Sequence, residues 1–375
     1  MEQRMIEVAD ALQQTERGAV DEPGGFAWWY ADIVDNHGDG AVLIWSWGLP
    51  FLPGLLDAGR RGKAQRAAEW PSLNIAFYRG GERAYYLLQQ FRPDECCWTE
   101  ETDAEGRTEV WRFGETVIRR TLRSGRVELD AAFDCRQAEL PALRGQFRLR
   151  GYAARDFAQG ESERRDVHHW GVVSAQAEGS VVLETEGRRL ALEGNGYHDR
   201  NWSRAQLDQI GVERWSWLRA SDGERTAVLY RLRPELGGVD RCIGRWVEAD
   251  GRVLPIAIEA VRWEGQHRDR YGMTVAASVT IESEGRCWKL RVAPPVERGP
   301  FYLRAAVADE AQGCRGFVEC VAPSRIDRAL ERPLVRMAVH RRDGANSFWL
   351  PLFAGLKSSG AARLVRRRNH TADGP

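Results

Sequence analysis

From about residue 25 to about residue 345, short runs in which apolar and polar residues alternate dominate the chain. Val127, Leu129, Ala131 and Phe133 fall on one parity, with Glu128 and Asp130 on the other. Val275, Ala277, Val279 and Ile281 alternate in the same way with Thr274, Ser278, Thr280 and Glu282, and Trp288, Leu290 and Val292 with Cys287, Lys289 and Arg291. Period two is the mark of half-buried antiparallel strands. The punctuation agrees: Arg79-Gly80-Gly81-Glu82, Ser124-Gly125-Arg126, Glu186-Gly187-Arg188, Asp222-Gly223-Glu224, Asp250-Gly251-Arg252 and Glu284-Gly285-Arg286 each put glycine where a tight hairpin needs positive φ. Helical periodicity is confined to Met5–Gln14, Gly59–Glu69 and Ser324–Glu331. Closely spaced hairpins predict an all-β sandwich or barrel.

More than 300 residues of antiparallel strand exceed one small barrel, so two β-domains in tandem are expected. The joint is placed near Glu193-Gly194-Asn195-Gly196, giving a polar leader at 1–24, domains at 25–195 and 196–350, and a basic tail at 351–375. A faint duplication echo pairs Trp45-Ser46-Trp47 with Trp215-Ser216-Trp217. The tail, with Arg363, Arg366, Arg367 and Arg368, reads as a disordered, solvated end; weak attraction to an anionic membrane surface is the alternative.

Composition narrows the function. The 54 Lys and Arg balance 54 Asp and Glu, which argues against general nucleic-acid binding. The longest apolar stretch, Ala41 to Leu56, is broken by Gly48, Pro50, Pro53 and Gly54, so no spanning helix is expected. The leader is acidic without an apolar run, and the seven cysteines include no C-x-x-C pair; both fit free thiols in a reducing cytoplasm. The 15 tryptophans are the unusual number. Most belong to cores, yet such a supply also suits a pocket for an elongated apolar ligand.

Phosphate-cradling loops, a nucleophile elbow and a zincin motif are missing from the sequence. His168 and His169 would face opposite sides of a strand, poor geometry for a shared metal, so no metal site is assigned. The densest polar and aromatic cluster is Gly194-Asn195-Gly196-Tyr197-His198-Asp199-Arg200-Asn201-Trp202, followed by Arg214-Trp215-Ser216-Trp217. Asp199 is the candidate Brønsted acid, held by His198 or Asn201 and screened by Tyr197, Trp202, Trp215 and Trp217; burial among aromatics would raise its pKa. A competing reading pairs Asp199 with Arg200 in a turn. A second cluster, Phe26 to Asp35, puts Trp28, Tyr30 and Asp32 on one strand face and Trp29, Ala31 and Ile33 on the other. Asp32 either projects into the same cavity or is an exposed or hydrogen-bonded edge residue.

The segment Gly196 to Trp202 with Trp215-Ser216-Trp217 downstream resembles the carotenoid 1,2-hydratase (hydroxyneurosporene synthase) family and its AttH-like relatives, which carry a G-Y-H-D-H-N-type segment followed by W-x-W. Gly24-Gly25-Phe26-Ala27-Trp28-Trp29-Tyr30 looks like that family's opening strand, and Gly316-Phe317-Val318-Glu319-Cys320 with Pro333-Leu334-Val335-Arg336 like its closing part. The resemblance implies two lipocalin-like β-domains with a ligand cavity near their junction. It also implies acid-initiated chemistry on an isoprenoid double bond, with water added in the hydratases and rings closed in some relatives.

By the same resemblance Asp199 is the acid and His198 its flanking histidine, with Asn201 or Tyr197 positioning a water. The second histidine of the segment is Arg200 here. Turned toward Asp199 it would lower that pKa; on a strand the two side chains diverge. The implied substrate is an apolar carotenoid or terpenoid, and the implied chemistry requires no cofactor. A polyene cyclase and a non-catalytic lipid binder are the alternatives on the same scaffold.

Overall fold

The computed structural model describes residues 6–9, 17–138, 140–155, 157, 167–283, 285–331, 334–335 and 337–342. The basic tail at 351–375, Pro333 and Arg336 lie outside them, as do residues 1–5 and 10–16 of the expected leader. Where the Met5–Gln14 helix was expected, Ile6–Val8 is instead a strand, hydrogen-bonded in parallel to His168–Trp170. The other expected helices shrink to Leu55–Arg60, a 3-10 turn at Ala67–Glu69 and another at Pro323–Arg325. Among the described residues no helix is long and apolar enough to cross a membrane.

The alternating runs form two curled antiparallel sheets, the expected all-β class with few short helices. In the first, the order is Glu82–Gln90, Pro71–Arg79, Gly40–Trp47, Phe26–Val34, Arg188–Ser203, His168–Thr185, Leu143–Tyr152, Arg126–Cys135, Thr116–Arg123, Gly106–Phe113 and Cys96–Thr102. In the second, it is Val253–Pro255, Arg241–Glu248, Arg225–Pro234, Val212–Ser221, Cys314–Val321, Tyr302–Asp309, Arg286–Val292, Ser278–Ser283 and Val261–Glu264. Both sheets repeat one scheme: two meanders meet where the opening strand pairs with the closing one, Phe26–Val34 with Arg188–Ser203 and Val212–Ser221 with Cys314–Val321. Trp45-Ser46-Trp47 sits on the second strand of its sheet and Trp215-Ser216-Trp217 on the first of the other, so the repeat lies in the topology and not in those triplets. Glu193–Gly196 falls inside the Arg188–Ser203 strand; the chain crosses between sheets at residues 204–211.

Two-residue hairpins at Ser124-Gly125 and Glu186-Gly187 set the register of the long strands. All four residues have positive φ, the requirement of a type I′ turn. The edge strand Glu82–Gln90 is covered by His340, whose N–H and C=O bond to Leu88 and Gln90.

Alternation then sorts the tryptophans. Trp29, Trp45 and Trp111 fill the inside of the first curled sheet, and Trp246 and Trp288 the inside of the second. Trp28, Tyr30, Trp170, Trp215 and Trp217 form a third core between the sheets. The Phe26–Val34 strand is therefore buried on both faces along its whole length. A cavity lined from both sheets sits in this inter-sheet layer.

Candidate active site

In the central strand pair of the first sheet, Asn201 stands opposite Trp28, Asp199 opposite Tyr30 and Tyr197 opposite Asp32. Directly opposed residues share a face, so these six side chains form one surface. That surface packs on the second sheet: the Trp217 ring lies 5.2 Å from Tyr30 and 5.4 Å from Tyr197, and Trp215 lies 5.7 Å from His168.

Asp199 is 3% exposed. Its Oδ2 accepts hydrogen bonds from Trp170 Nε1 at 2.9 Å and the Tyr197 hydroxyl at 2.7 Å, and its Oδ1 accepts one from Asn201 Nδ2 at 2.9 Å. The amide of Asn201 is oriented in turn by His168, whose Nε2 lies 2.9 Å from Asn201 Oδ1. Burial lowers the His168 pKa to about 3, so the ring is neutral and Nε2–H is the donor to that oxygen. Burial is also the main cause that raises Asp199 to about 7; the hydrogen bonds from Tyr197 and Trp170 oppose it, and the charges of Glu319 and Asp32 add to it. The result is a carboxyl that holds its proton near neutral pH and whose anion three donors can receive.

Asp199 opens onto a cavity of about 210 Å³ between the sheets. Trp28, Tyr30 and Asn201 line it from the first sheet, Trp215, Trp217 and Tyr230 from the second, and Leu49–Leu52 closes one side. Arg83 and Arg298 also line it and are exposed, which places its mouth at their end.

Six of the residues expected from sequence thus meet at one cavity: Asp199, Asn201, Trp28, Tyr30, Trp215 and Trp217. Tyr197 stands behind Asp199 as a donor. Three others are placed elsewhere, which corrects their assignment. His198 and Trp202 point to the opposite face, because neighbours on a strand diverge. His198 Nδ1 lies 2.8 Å from the Tyr30 carbonyl and its Nε2 lies 3.1 Å from Arg120, while the ring stacks on Trp45. Burial, reinforced by the Arg120 charge, lowers it to about 3, so it neither touches Asp199 nor carries a proton to it. Trp202 stacks on His169 at 5.1 Å. Asp32, fully buried, ion-pairs with Arg219 and accepts the Tyr30 hydroxyl at 2.8 Å behind the cavity wall. It is neither an exposed edge residue nor a lining residue.

Arg200 also lies on the far face, its guanidinium 5.1 Å from the Trp202 ring centroid. The cation that would have lowered the Asp199 pKa is on the other side of the strand. Among the described residues no group of three or more His, Cys, Asp and Glu side chains is placed to hold a metal.

Sequence reasoning overlooked Trp170 and His168 as partners of Asp199 and Asn201, and the polar cluster of Tyr302, Arg304 and Glu319 on the second sheet. The parity of His168 and Trp170 was readable, but their meeting with Asn201 and Asp199 depends on a ladder interrupted by two register shifts between Val172 and Ala177.

Residues 108–347 match the family described as carotenoid hydratase CrtC. The chain is 25% identical over 360 residues to a protein named hydroxyneurosporene dehydrogenase from Chlorobaculum tepidum, covering 86% of this chain and 88% of that one. It is 28% identical over 297 residues to an acyclic carotenoid 1,2-hydratase of Thiocapsa roseopersicina, covering 78% of this chain and 66% of that one. A similar 28% match to the acyclic carotenoid 1,2-hydratase of Rubrivivax gelatinosus spans 61% of this chain and 53% of the relative. Among solved structures, an AttH-type protein of Nitrosomonas europaea superposes with a TM-score of 0.51 at 12% identity, over 84% of this chain and 99% of that one. CghA superposes with a TM-score of 0.52 at 15% identity, over 80% of this chain and 88% of that one. These two likenesses establish the fold.

Proposed function

Because the chain belongs to the carotenoid hydratase CrtC family, we propose that it adds water across a terminal C=C bond of an acyclic carotenoid-type substrate, with Asp199 as the proton donor. The observation that supports this most directly is a buried carboxyl, raised to about 7 by burial, that faces an aromatic-walled cavity. Hydration is redox-neutral: the acid's proton adds to one carbon, a water oxygen to the other, and that water gives up one proton, so the net addition is one water. Oδ2 already takes two hydrogen bonds and Oδ1 one, which leaves Oδ1 to carry the transferable proton. Transfer to the less substituted alkene carbon leaves a tertiary cation. The faces of Trp28, Tyr30, Trp215 and Trp217 attract it, each by about 0.5–2 kcal/mol. The new carboxylate is received by Trp170, Tyr197 and Asn201, and water closes the reaction at the cationic carbon.

The test is incubation of the full chain with an acyclic carotenoid in ¹⁸O-labelled water. A product heavier by one labelled water supports the reading. An isomeric ring product turns it to cyclisation by the same acid, and binding without turnover turns it to a lipid carrier.

The acid form must be present, so kcat/KM is expected to fall about tenfold per pH unit above about pH 7. A rate that rises through pH 7 to 9 would assign Asp199 the opposite role. The profile is read on the wild-type protein with buffers matched for ionic strength.

A further inference from the structure

Two further carboxyls line the cavity that Asp199 faces, Glu297, which is bonded by the Tyr78 hydroxyl, and Glu319. Glu319 lines the cavity from the closing strand of the second sheet. It stands opposite Trp217 on one side and opposite Arg304 on the other. The Trp217 ring packs on Tyr30, which stands opposite Asp199, so Glu319 and Asp199 approach one cavity from different sheets. Their surroundings differ in kind. Asp199 is held by neutral donors, whereas Arg304 gives both Nε, at 2.9 Å, and a terminal nitrogen, at 2.6 Å, to a single oxygen, Glu319 Oε1. Arg304 is itself 1% exposed and fixed by the Tyr78 hydroxyl and by ring faces of Tyr30, Tyr78 and Tyr302 at 5.6–5.8 Å. Arg304 favours the carboxylate form of Glu319 against the burial that raises its pKa, and holds Oε1 at a set position, with Tyr302 a further hydrogen-bond partner of the carboxyl; Oε2 is the oxygen that Arg304 does not hold.

Hydration needs a proton given to one alkene carbon and a proton taken from the water that attacks the other. One group cannot do both at once from one wall. We propose that Glu319 is the base of the reaction, orienting the attacking water through Oε2 and taking its proton as the C–O bond forms; this rests on Asp199 being the acid. In balance, the Asp199 O–H bond breaks as the C–H bond forms from the alkene π pair. The water oxygen then supplies the electron pair of the new C–O bond, and its O–H pair remains on oxygen while the proton passes to Glu319. The cycle ends with Asp199 ionised and Glu319 protonated, and solvent returns one proton and removes the other. Burial raises the Glu319 pKa against the opposing effect of Arg304, which makes it a better acceptor than an ordinary glutamate.

The experiment separates this step from the one before it. The full-length wild type, Glu319→Gln and Asp199→Asn are incubated with an acyclic carotenoid in D₂O, and both hydrated product and deuterium in the recovered alkene are measured. With Glu319 as base, Glu319→Gln loses hydration by about 10²-fold or more, while Asp199 still protonates the alkene reversibly and deuterium enters recovered substrate. Asp199→Asn loses both signals. Should Glu319→Gln hydrate at the wild-type rate, or lose exchange together with hydration, the assignment of Glu319 is overturned while that of Asp199 stands. Should Asp199→Asn retain both, the underlying acid is wrong instead. Glu319→Asp keeps the charge beside Arg304 but withdraws it by one methylene, and decides the matter if the Gln variant does not fold: about tenfold slower hydration with exchange retained is expected, and unchanged hydration overturns the proposal.

Discussion

Asp199→Asn is expected to lower kcat/KM for hydration by at least about 10³-fold, the upper part of the range for a single proton-transfer group, with substrate binding retained. The aromatic walls are untouched, so titration of tryptophan fluorescence with the carotenoid should give a Kd near that of the wild type. The same variant carries a second, independent signature. Asp199 sits at about 7 in the folded chain against an ordinary 3.8. Between those values the folded wild type binds a proton that the unfolded chain has lost, so its stability falls as pH rises from about 4 to about 7 and then levels. Asn does not titrate. The stability of the variant relative to wild type should therefore climb by roughly 4 kcal/mol across that window. A constant offset is also expected, because an Asn side chain cannot accept from all three donors and its own amide meets that of Asn201, which His168 holds in place. The slope, read from urea denaturation at several pH values, is the diagnostic quantity; a flat difference would show that Asp199 is ionised throughout.

Asp32→Ala should destabilise the protein by about 3–5 kcal/mol, as expected when one partner of a buried ion pair is removed. Both side chains of the Asp32–Arg219 pair are fully buried. Arg219 also reaches the side chain of Asn195 at 3.0 Å and its carbonyl at 3.2 Å, so it ties the second sheet to two strands of the first. Arg219→Met should cost a similar amount by leaving Asp32 unpaired beside Tyr30. The double variant Asp32→Leu, Arg219→Met removes both charges and should recover most of the loss. Denaturation midpoints of the three variants give the coupling directly, and additive losses in the double variant would remove the pair from its role as a clamp between the sheets.

Much of the fold was legible because period two and glycine hairpins are local signals. The strands around Val127–Phe133 and Ser278–Val292 needed only neighbouring residues to read. Asp199 and the Trp28, Tyr30, Asp32 face were legible for the same reason, since parity along one strand fixes which side chains travel together. Parity also contained the correction to His198 and Trp202: both sit one position off Asp199 or Asn201, and the divergence that argued against a His168–His169 metal pair applies equally to them. What parity does not supply is the partner across the ladder. Sequence alone leaves Asp32 either facing the cavity or as an exposed or hydrogen-bonded edge residue, since lone acids on strands are usually exposed; Phe26–Val34 is instead a central strand covered on both faces, and the partner comes from residue 219. Glu319 and Arg304 were passed over for the same cause, since their meeting depends on which strands close the second sheet. Within the Met5–Gln14 stretch, Ile6–Val8 is a strand and not helix because it finds a strand edge at His168–Trp170, a tertiary partner that outweighs local propensity.

The recurring topology has a consequence for where the two carboxyls stand. Asp199 and Tyr30 face each other across the opening and closing strands of one sheet, and Glu319 and Trp217 do so across the corresponding strands of the other. An acidic residue beside an aromatic one thus occurs at matching places in both halves. The two carboxyls therefore sit at equivalent points of the two sheets with opposite surroundings, one among uncharged donors and the other beside an arginine.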